Sequence, residues 1–302
     1  MDFDVIIIGG GPAGLSAALW CDELGLKTAL LEAENEFGGQ LLWTFNSVEN
    51  YLGLSCKNGR ELRDRFLAHM SGRGFLRFLQ ATAREADVKK KIVTLSDGKK
   101  YSGKAIVIST GVRRRKLGVD GEESFLGKGV LVSGKRDGQS VAGQTVAVVG
   151  GGDAAIENAL ILAKFAKKVL VVHRRDELSA RPEFAEKLKY EDNIEVLYNT
   201  ELTKIYGGQI VQGVELERDN FRRELDVEGV LIRIGVAPNS EFLKGQLELD
   251  VNGYIKIDSL GKTNVDNVFA VGDISNPVSP TINSAVGMGA TAAKTIYYSL
   301  SS

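Results

Sequence analysis

The sequence predicts an α/β fold made twice over, with one domain nested inside the other. Each copy is expected to be a parallel sheet with helices on one face and an antiparallel β-meander on the other. Three observations predict it. A glycine loop, Gly9-Gly10-Gly11-Pro12-Ala13-Gly14, follows the apolar run Asp4–Ile8, and a second, Gly150-Gly151-Gly152-Asp153-Ala154-Ala155, follows Thr145–Val149. Each loop is followed by a helical pattern, a second strand and a set of short strands. Lastly, a tail with one further strand and helix is too short to fold alone, so it completes the first domain.

The elements follow in order. A strand runs into the first loop, a helix covers about 12–25, and a strand spans 27–32. The loop Gly38-Gly39-Gln40 comes next, then an amphipathic helix at about 58–72. Short strands at about 82–87, 91–95 and 100–109 read as a meander, with Ser96-Asp97-Gly98 as a turn. The pattern restarts near Gln144, and its own meander is expected over about 194–234. The tail holds a strand at 268–271, the pair Gly272-Asp273, and a helix over about 284–299. The resulting domains are 1–111 and 244–302 for the first, with 112–243 inserted, and hinges near 111–116 and 235–244.

Each glycine loop lies where a strand turns into a helix. Such a turn lets the backbone approach a pyrophosphate, which rests on the helix N-terminus. Both domains therefore read as Rossmann-like dinucleotide-binding units. Gly9, Gly11, Pro12, Ala13 and Gly14 form the first phosphate site. Gly150, Gly152, Asp153, Ala154 and Ala155 form the second. Glu32 follows Gly9 by the same interval as His173 follows Gly150. A carboxylate there accepts hydrogen bonds from an adenosine ribose. The cluster His173-Arg174-Arg175 suits a ribose 2′-phosphate instead, so the second nucleotide is expected to be NADPH.

Composition narrows the rest. The chain has 302 residues, 43% hydrophobic and 25% charged, with a net charge of -1. Nothing global points to nucleic acid or a membrane surface, and no apolar stretch is long enough to span a bilayer. The N-terminal run carries Asp2 and Asp4 and passes straight into a glycine loop, unlike a secretory leader. Cys21 and Cys56 are the two cysteines, which fits a reducing cytoplasm. No cluster has metal-ligand spacing. The run Arg113-Arg114-Arg115-Lys116 is either a solvated hinge or a docking patch for an acidic electron carrier. Trp43, Phe45 and Tyr51 are either core or a shield for a cofactor ring.

These pieces together resemble the low-molecular-weight thioredoxin reductase group of two-dinucleotide flavoproteins. The likeness rests on the two loops, Glu32, Gly38-Gly39-Gln40-Leu41, Val48-Glu49-Asn50-Tyr51, Ser109-Thr110-Gly111, His173-Arg174-Arg175-Asp176, Gly235–Asn239 and Phe269-Ala270-Val271-Gly272-Asp273. It implies FAD in the first domain, with Gly39, Gln40, Thr44, Asn50 and Gly111 around it. It also implies Gly272 and Asp273 at the ribitol, and Thr281 and Ile282 pointing amides at the flavin. Arg181 stands close to where the group places a further phosphate-binding Arg. A homodimer is implied as well.

The group keeps a Cys-x-x-Cys-Asp-Gly dithiol shortly before the second loop. Here Asp137-Gly138 is in place, but the thiol positions are Ser133 and Arg136. Arg136 and Asp137 become the candidate groups at the flavin face. The expected activity is hydride transfer between NADPH and FAD without a redox disulfide, with electrons passing to a ferredoxin or flavodoxin. Two alternatives stay open: an NADPH-dependent reductase of a low-molecular-weight disulfide or another small acceptor, and a non-catalytic flavin-binding sensor.

Overall fold

The structure, a computed structural model, describes residues 2–301. Along the chain come β1 (Asp2–Ile8), α1 (Pro12–Glu23), β2 (Thr28–Leu31), α2 (Gly59–His69), β3 (Leu76–Phe78), β4 (Ala83–Asp87), β5 (Ile92–Leu95) and β6 (Lys100–Ile108). Then follow β7 (Val112–Arg114), β8 (Val130–Leu131), the one-turn α3 (Gly134–Asp137), β9 (Thr145–Val149), α4 (Asp153–Ala163), β10 (Lys168–Val172) and the short α5 (Pro182–Ala185). Next are β11 (Ile194–Leu197), β12 (Glu201–Gly207), β13 (Val211–Arg218), β14 (Phe221–Asp226), β15 (Gly229–Ile232) and β16 (Val236–Pro238). The chain closes with β17 (Val268–Ala270) and α6 (Ile282–Ser301). It divides into two compact units, Met1–Arg113 with Ala237–Ser302, and Arg114–Val236.

In the first unit β1 is the centre of a parallel ladder. Val5 to Ile8 pair with Thr28 to Leu31 on one side, and with Ala105 to Ile108 on the other. Strand period two sends alternate residues to opposite faces. Val5, Ile7, Leu30 and Val107 pack under α1 and α6. Phe3, Ile6, Leu31 and Ile106 face the meander residues Ala86, Val93 and Leu95. Besides β1, strand β6 serves two further partners along its length. Its first residues pair with β5, while Ile106 to Ile108 pair with β17. The tail thus supplies both a strand and the helix that covers the apolar face. Helices α1 and α6 approach closely because Gly289 has no side chain: a Cβ there would lie 2.3 Å from the Ala13 carbonyl oxygen.

The second unit repeats the plan with a cleaner separation of layers. Its parallel sheet runs β11-β10-β9-β15-β8, and β12-β13-β14 form a separate antiparallel sheet. Val146, Val148 and Val171 pack against Ile156, Ala159 and Leu162 of α4. Ala147, Val149 and Val172 pack against Leu202, Ile205 and Val214 of the meander. The meander expected over 194–234 is therefore confined to 201–226. Ile194–Leu197 pairs parallel with β10, and Gly229–Ile232 pairs parallel with β9. Among the described residues no helix is long and apolar enough to cross a membrane.

Leu162 is fully buried in the core of the second unit. Leu162→Ala should cost about 2–5 kcal/mol of unfolding free energy, measured by denaturant titration. A cost under about 1 kcal/mol would contradict this packing.

Candidate dinucleotide sites

The first loop is shaped by contacts that only bare backbone permits. Gly9 has φ +105°, and a Cβ on it would meet the Ser109 carbonyl oxygen at 2.4 Å. A Cβ on Gly14 would lie 1.9 Å from the Gly9 carbonyl oxygen. Ser109 Oγ donates to the carbonyls of Ile8 and Gly9, at 2.9 and 2.8 Å, and locks the turn. Gly11 differs: a Cβ there would meet only Gly39 Cα, at 3.8 Å. No side chain caps α1, which begins at Pro12. Its first-turn amides and the open side of Gly11 are left for an anionic ligand.

Glu32 is buried beside this loop. Its carboxylate accepts from Gly10 N at 2.7 Å and from Glu34 N at 3.0 Å. A carboxylate has about four acceptor directions, so capacity remains for ribose hydroxyls. Gly39 has φ +52°, and a Cβ on it would stand 3.0 Å from Gly11 Cα. Gln40 Nε2 donates to Val112 O at 2.7 Å, beside Gly111, and Thr44 Oγ1 donates to Gln40 O at 3.0 Å. Gly272, with φ +76°, lies against Ala13 of α1.

Next to it, Asp273 is half-buried, and burial raises its carboxyl above the ordinary range. Among the described residues its carboxylate has no hydrogen-bond or ion-pair partner. A desolvated carboxylate without a donor fits the polyol chain of a flavin dinucleotide. Thr281 Oγ1 accepts from Ser284 N at 3.2 Å at the head of α6, where Ile282 begins the helix. Asn283 Nδ2 reaches the Asn50 carbonyl at 2.9 Å. The contacts thus gather the predicted residues into one chain, from Gly11 to Gly39, from Ala13 to Gly272, and from Asn50 to the head of α6. Sequence reading missed Phe37, packed over Gly10, the bracing role of Ser109, and Asn283. The position of Ser109 at the end of a strand was the available signal.

In the second unit, Gly150 has φ +137°, and a Cβ on it would meet the Arg233 carbonyl oxygen at 2.2 Å. Gly152 precedes α4, whose Asp153, Ala154 and Ala155 form the first turn without a side-chain cap. His173 is buried, and its Nε2 lies 2.9 Å from Glu177 O. A Cβ on Gly151 would sit 2.4 Å from the imidazole, so the ring props the loop. Arg174 and Arg175 are exposed and form no ion pair among the described residues. Arg181 is already engaged, with Asp153 at 2.6 Å and Glu183 at 2.8 Å.

The Ser133-Gly134-Lys135-Arg136 turn belongs to the same unit. Asp137 accepts from Val132 N at 2.6 Å and Ser133 N at 3.0 Å, and pairs with Arg136 Nε at 2.6 Å. Ser133 Oγ accepts from Lys135 N at 3.2 Å. Both cysteines are buried and unpaired. Burial pushes the Cys21 thiol up to about 12. The basic run is tied down rather than free. Arg113 bonds Pro238 O and pairs with Glu241, Arg114 bonds Val132 O, Arg115 bonds Val236 O, and Lys116 pairs with Glu123. Tyr51 packs edge-on against Phe66, whereas Trp43 is exposed.

Two bare-backbone turns, each at the end of a parallel strand and the start of a helix, define a two-dinucleotide oxidoreductase. The chain belongs to the pyridine nucleotide-disulphide oxidoreductase family, whose model matches residues 3–289. It is 39% identical over 295 residues to a thioredoxin reductase of Mycolicibacterium smegmatis, covering 96% of this chain and 94% of that one. It is 34% identical to an NADH dehydrogenase of Bacillus subtilis, of which it spans 57%. The thioredoxin reductase structure from Lactococcus lactis aligns with a TM-score of 0.86 at 33% identity, over 98% of each chain. The protein is an oxidoreductase, and FAD and NADPH are the cofactors that thioredoxin reductase-like members use.

Because burial raises the Asp273 carboxyl, the folded state holds its proton to a higher pH than the unfolded chain does. The ionised group therefore lowers stability at neutral pH, and that penalty fades as pH falls through the folded value and is gone below the unfolded one. In flavin-free protein, Asp273→Asn should raise the melting temperature at pH 7 and leave it unchanged near pH 3. An equal shift at both pH values would show that titration of Asp273 is not the cause.

Proposed function

We propose that this chain moves a hydride between NADPH and FAD and passes electrons from the flavin to an acceptor of ferredoxin or flavodoxin type, with no dithiol relay. One observation supports this over a thioredoxin-directed route. The 133–137 turn is made of serine, glycine, lysine, arginine and aspartate; Ser133 Oγ and Asp137 Oδ2 accept backbone amides, and Asp137 Oδ1 holds Arg136. Neither Ser133 nor Arg136 can form or break a disulfide. Bound FAD supplies the centre that takes the hydride and releases electrons singly or in pairs.

In this reading Gly9, Gly11 and the first turn of α1 hold the FAD pyrophosphate, and Glu32 takes the adenosine ribose. Asp273 accepts from the ribitol hydroxyls. Gln40, Thr44 and Asn50 flank the ring system, and the head of α6 at Thr281 and Ile282 favours negative charge there. Gly150, Gly152 and the first turn of α4 hold the NADPH pyrophosphate. Arg174 and Arg175 bind the 2′-phosphate, while His173 and the Arg181–Asp153 pair keep the loop in shape. The proposed working form is a cytoplasmic homodimer.

Arg174→Ala with Arg175→Ala should remove charge-assisted bonds worth about 1.5–3 kcal/mol each, so the NADPH-to-NADH ratio of flavin reduction should fall by tenfold or more. An unchanged ratio would remove both arginines from the 2′-phosphate site.

Anaerobic stopped-flow then identifies the acceptor. NADPH reduces the protein, and ferredoxin, flavodoxin, thioredoxin, glutathione disulfide and a quinone are mixed in turn. Fast reoxidation is expected with the first two and none with thioredoxin. Fast reoxidation by thioredoxin, or by glutathione disulfide alone, would overturn the proposal.

A further inference from the structure

Between β2 and α2 the chain passes through Glu36-Phe37-Gly38-Gly39, which forms a wall against the first glycine loop. Gly38 N donates to Gly10 O at 2.9 Å. Phe37 is buried, and its ring fills the space a Cβ on Gly10 would need, 2.3 Å away. A Cβ on Gly39 would stand 3.0 Å from Gly11 Cα. Gly11 is the glycine with the open side, so the wall borders the space left for the anionic ligand. Residues 33–38 form neither strand nor helix. Their place therefore depends on what they lean on.

They lean on α2. Asn58 caps that helix by accepting from Glu61 N at 2.9 Å, and Gly59 N donates to Thr44 O at 2.8 Å. Arg60 and Arg63, three residues apart, lie on one face of the helix. Both reach back to Glu36. Arg60 Nη2 lies 3.1 Å from Glu36 Oε1, and Arg63 Nη1 lies 2.9 Å from Glu36 Oε2. The two guanidinium groups hold the Glu36 carboxyl below its usual range. They are not equivalent. The Arg60 side chain is 49% exposed, the Arg63 side chain 13%. Arg63 Nη1 also donates to the Phe37 carbonyl, at 3.4 Å. Its stem runs against Gly38, where a Cβ would meet Arg63 Cγ at 2.8 Å.

We propose that Arg63 is a positioning residue for FAD: through Glu36 it holds the 36–39 wall closed on the glycine loop, and so sets how tightly the cofactor is retained. The inference rests on the assignment of the Gly9–Gly14 loop to FAD. Without Arg63, Glu36 keeps only the Arg60 pair, and exposed pairs of that kind contribute little. The sheltered pair is screened less by water and salt. Arg63 meets Glu36 through one nitrogen, Nη1, rather than through a two-nitrogen fork. A lysine ammonium can therefore stand in for it, where a forked contact would not tolerate the exchange.

Equilibrium dialysis of the purified holoprotein against graded FAD decides it, by the dissociation constant. Arg63→Gln should raise that constant at least tenfold, and Arg60→Gln less than threefold. Arg63→Lys should lie closer to the parent than to Arg63→Gln on a logarithmic scale. In a Glu36→Gln background, Arg63→Gln should add less than threefold, because its effect passes through Glu36. A loss below tenfold in Arg63→Gln overturns the proposal, as does a loss of threefold or more in Arg60→Gln. A lysine variant that falls nearer to Arg63→Gln overturns it too. So does a further loss of threefold or more without Glu36, which would put Arg63 directly on the cofactor. A parent protein that retains no FAD overturns the cofactor assignment, and the inference with it. Retention by the parent together with undiminished retention in Arg63→Gln overturns the inference alone. Melting curves check folding. Where Arg63→Gln does not fold, Glu36→Gln decides against the same tenfold line.

Discussion

No side chain can stand at Gly9 or Gly14, because the strand-to-helix turn brings each of them within contact distance of a backbone carbonyl. Everything in the first unit is arranged around that turn. β1 delivers it, Ser109 at the end of β6 clamps it through two hydrogen bonds, and α1 leaves it uncapped. The tail adds Gly272 beside Ala13 and lays α6 along α1. A methyl group at Gly14 would push α1 off β1, and with it the helix layer that covers Val5, Ile7 and Val107. The same constraint recurs at Gly150, held against the Arg233 carbonyl.

Glu32 and His173 show how one position does two jobs in two chemical forms. Each follows the second strand of its unit, and each braces the middle glycine of its loop. Glu32 does so by accepting the Gly10 amide, and His173 by laying its ring against Gly151. The glutamate keeps acceptor capacity for a sugar, whereas the imidazole is buried, with its Nε2 on the Glu177 carbonyl. The next two residues, Arg174 and Arg175, are exposed, which is why the proposed 2′-phosphate contacts fall to them.

The parallel strands and glycine loops were legible because their signals are local: an apolar run, then glycine, then a helical period. Ile194–Leu197 was misassigned to the meander because a short apolar run does not declare whether its partner is parallel. Its pairing with Val169–Val172 is decided by the sheet. The run 113–116 reads as either a solvated hinge or a docking patch, since nothing in the sequence shows that Glu123, Glu241 and three carbonyl groups take up its charges. Arg233 was invisible as a partner of Arg114 for the same reason: only the return of β15 beside β8 brings them to one carbonyl.

The discontinuous first unit has a consequence for synthesis on the ribosome. Residues 114–236 are contiguous, so the inserted unit has all its strands and helices as soon as β15 emerges. The first unit does not. Until β17 and α6 are made, one edge of β6 at Ile106–Ile108 and the face of α1 that packs on α6 have no cover. The unit begun before the inserted one is thus closed after it, and its helix layer stays incomplete through the whole synthesis of its neighbour. Domains made in one piece fold in order of emergence; here that order is inverted, and the nascent chain's period of greatest exposure to chaperones and to aggregation belongs to its amino-terminal half.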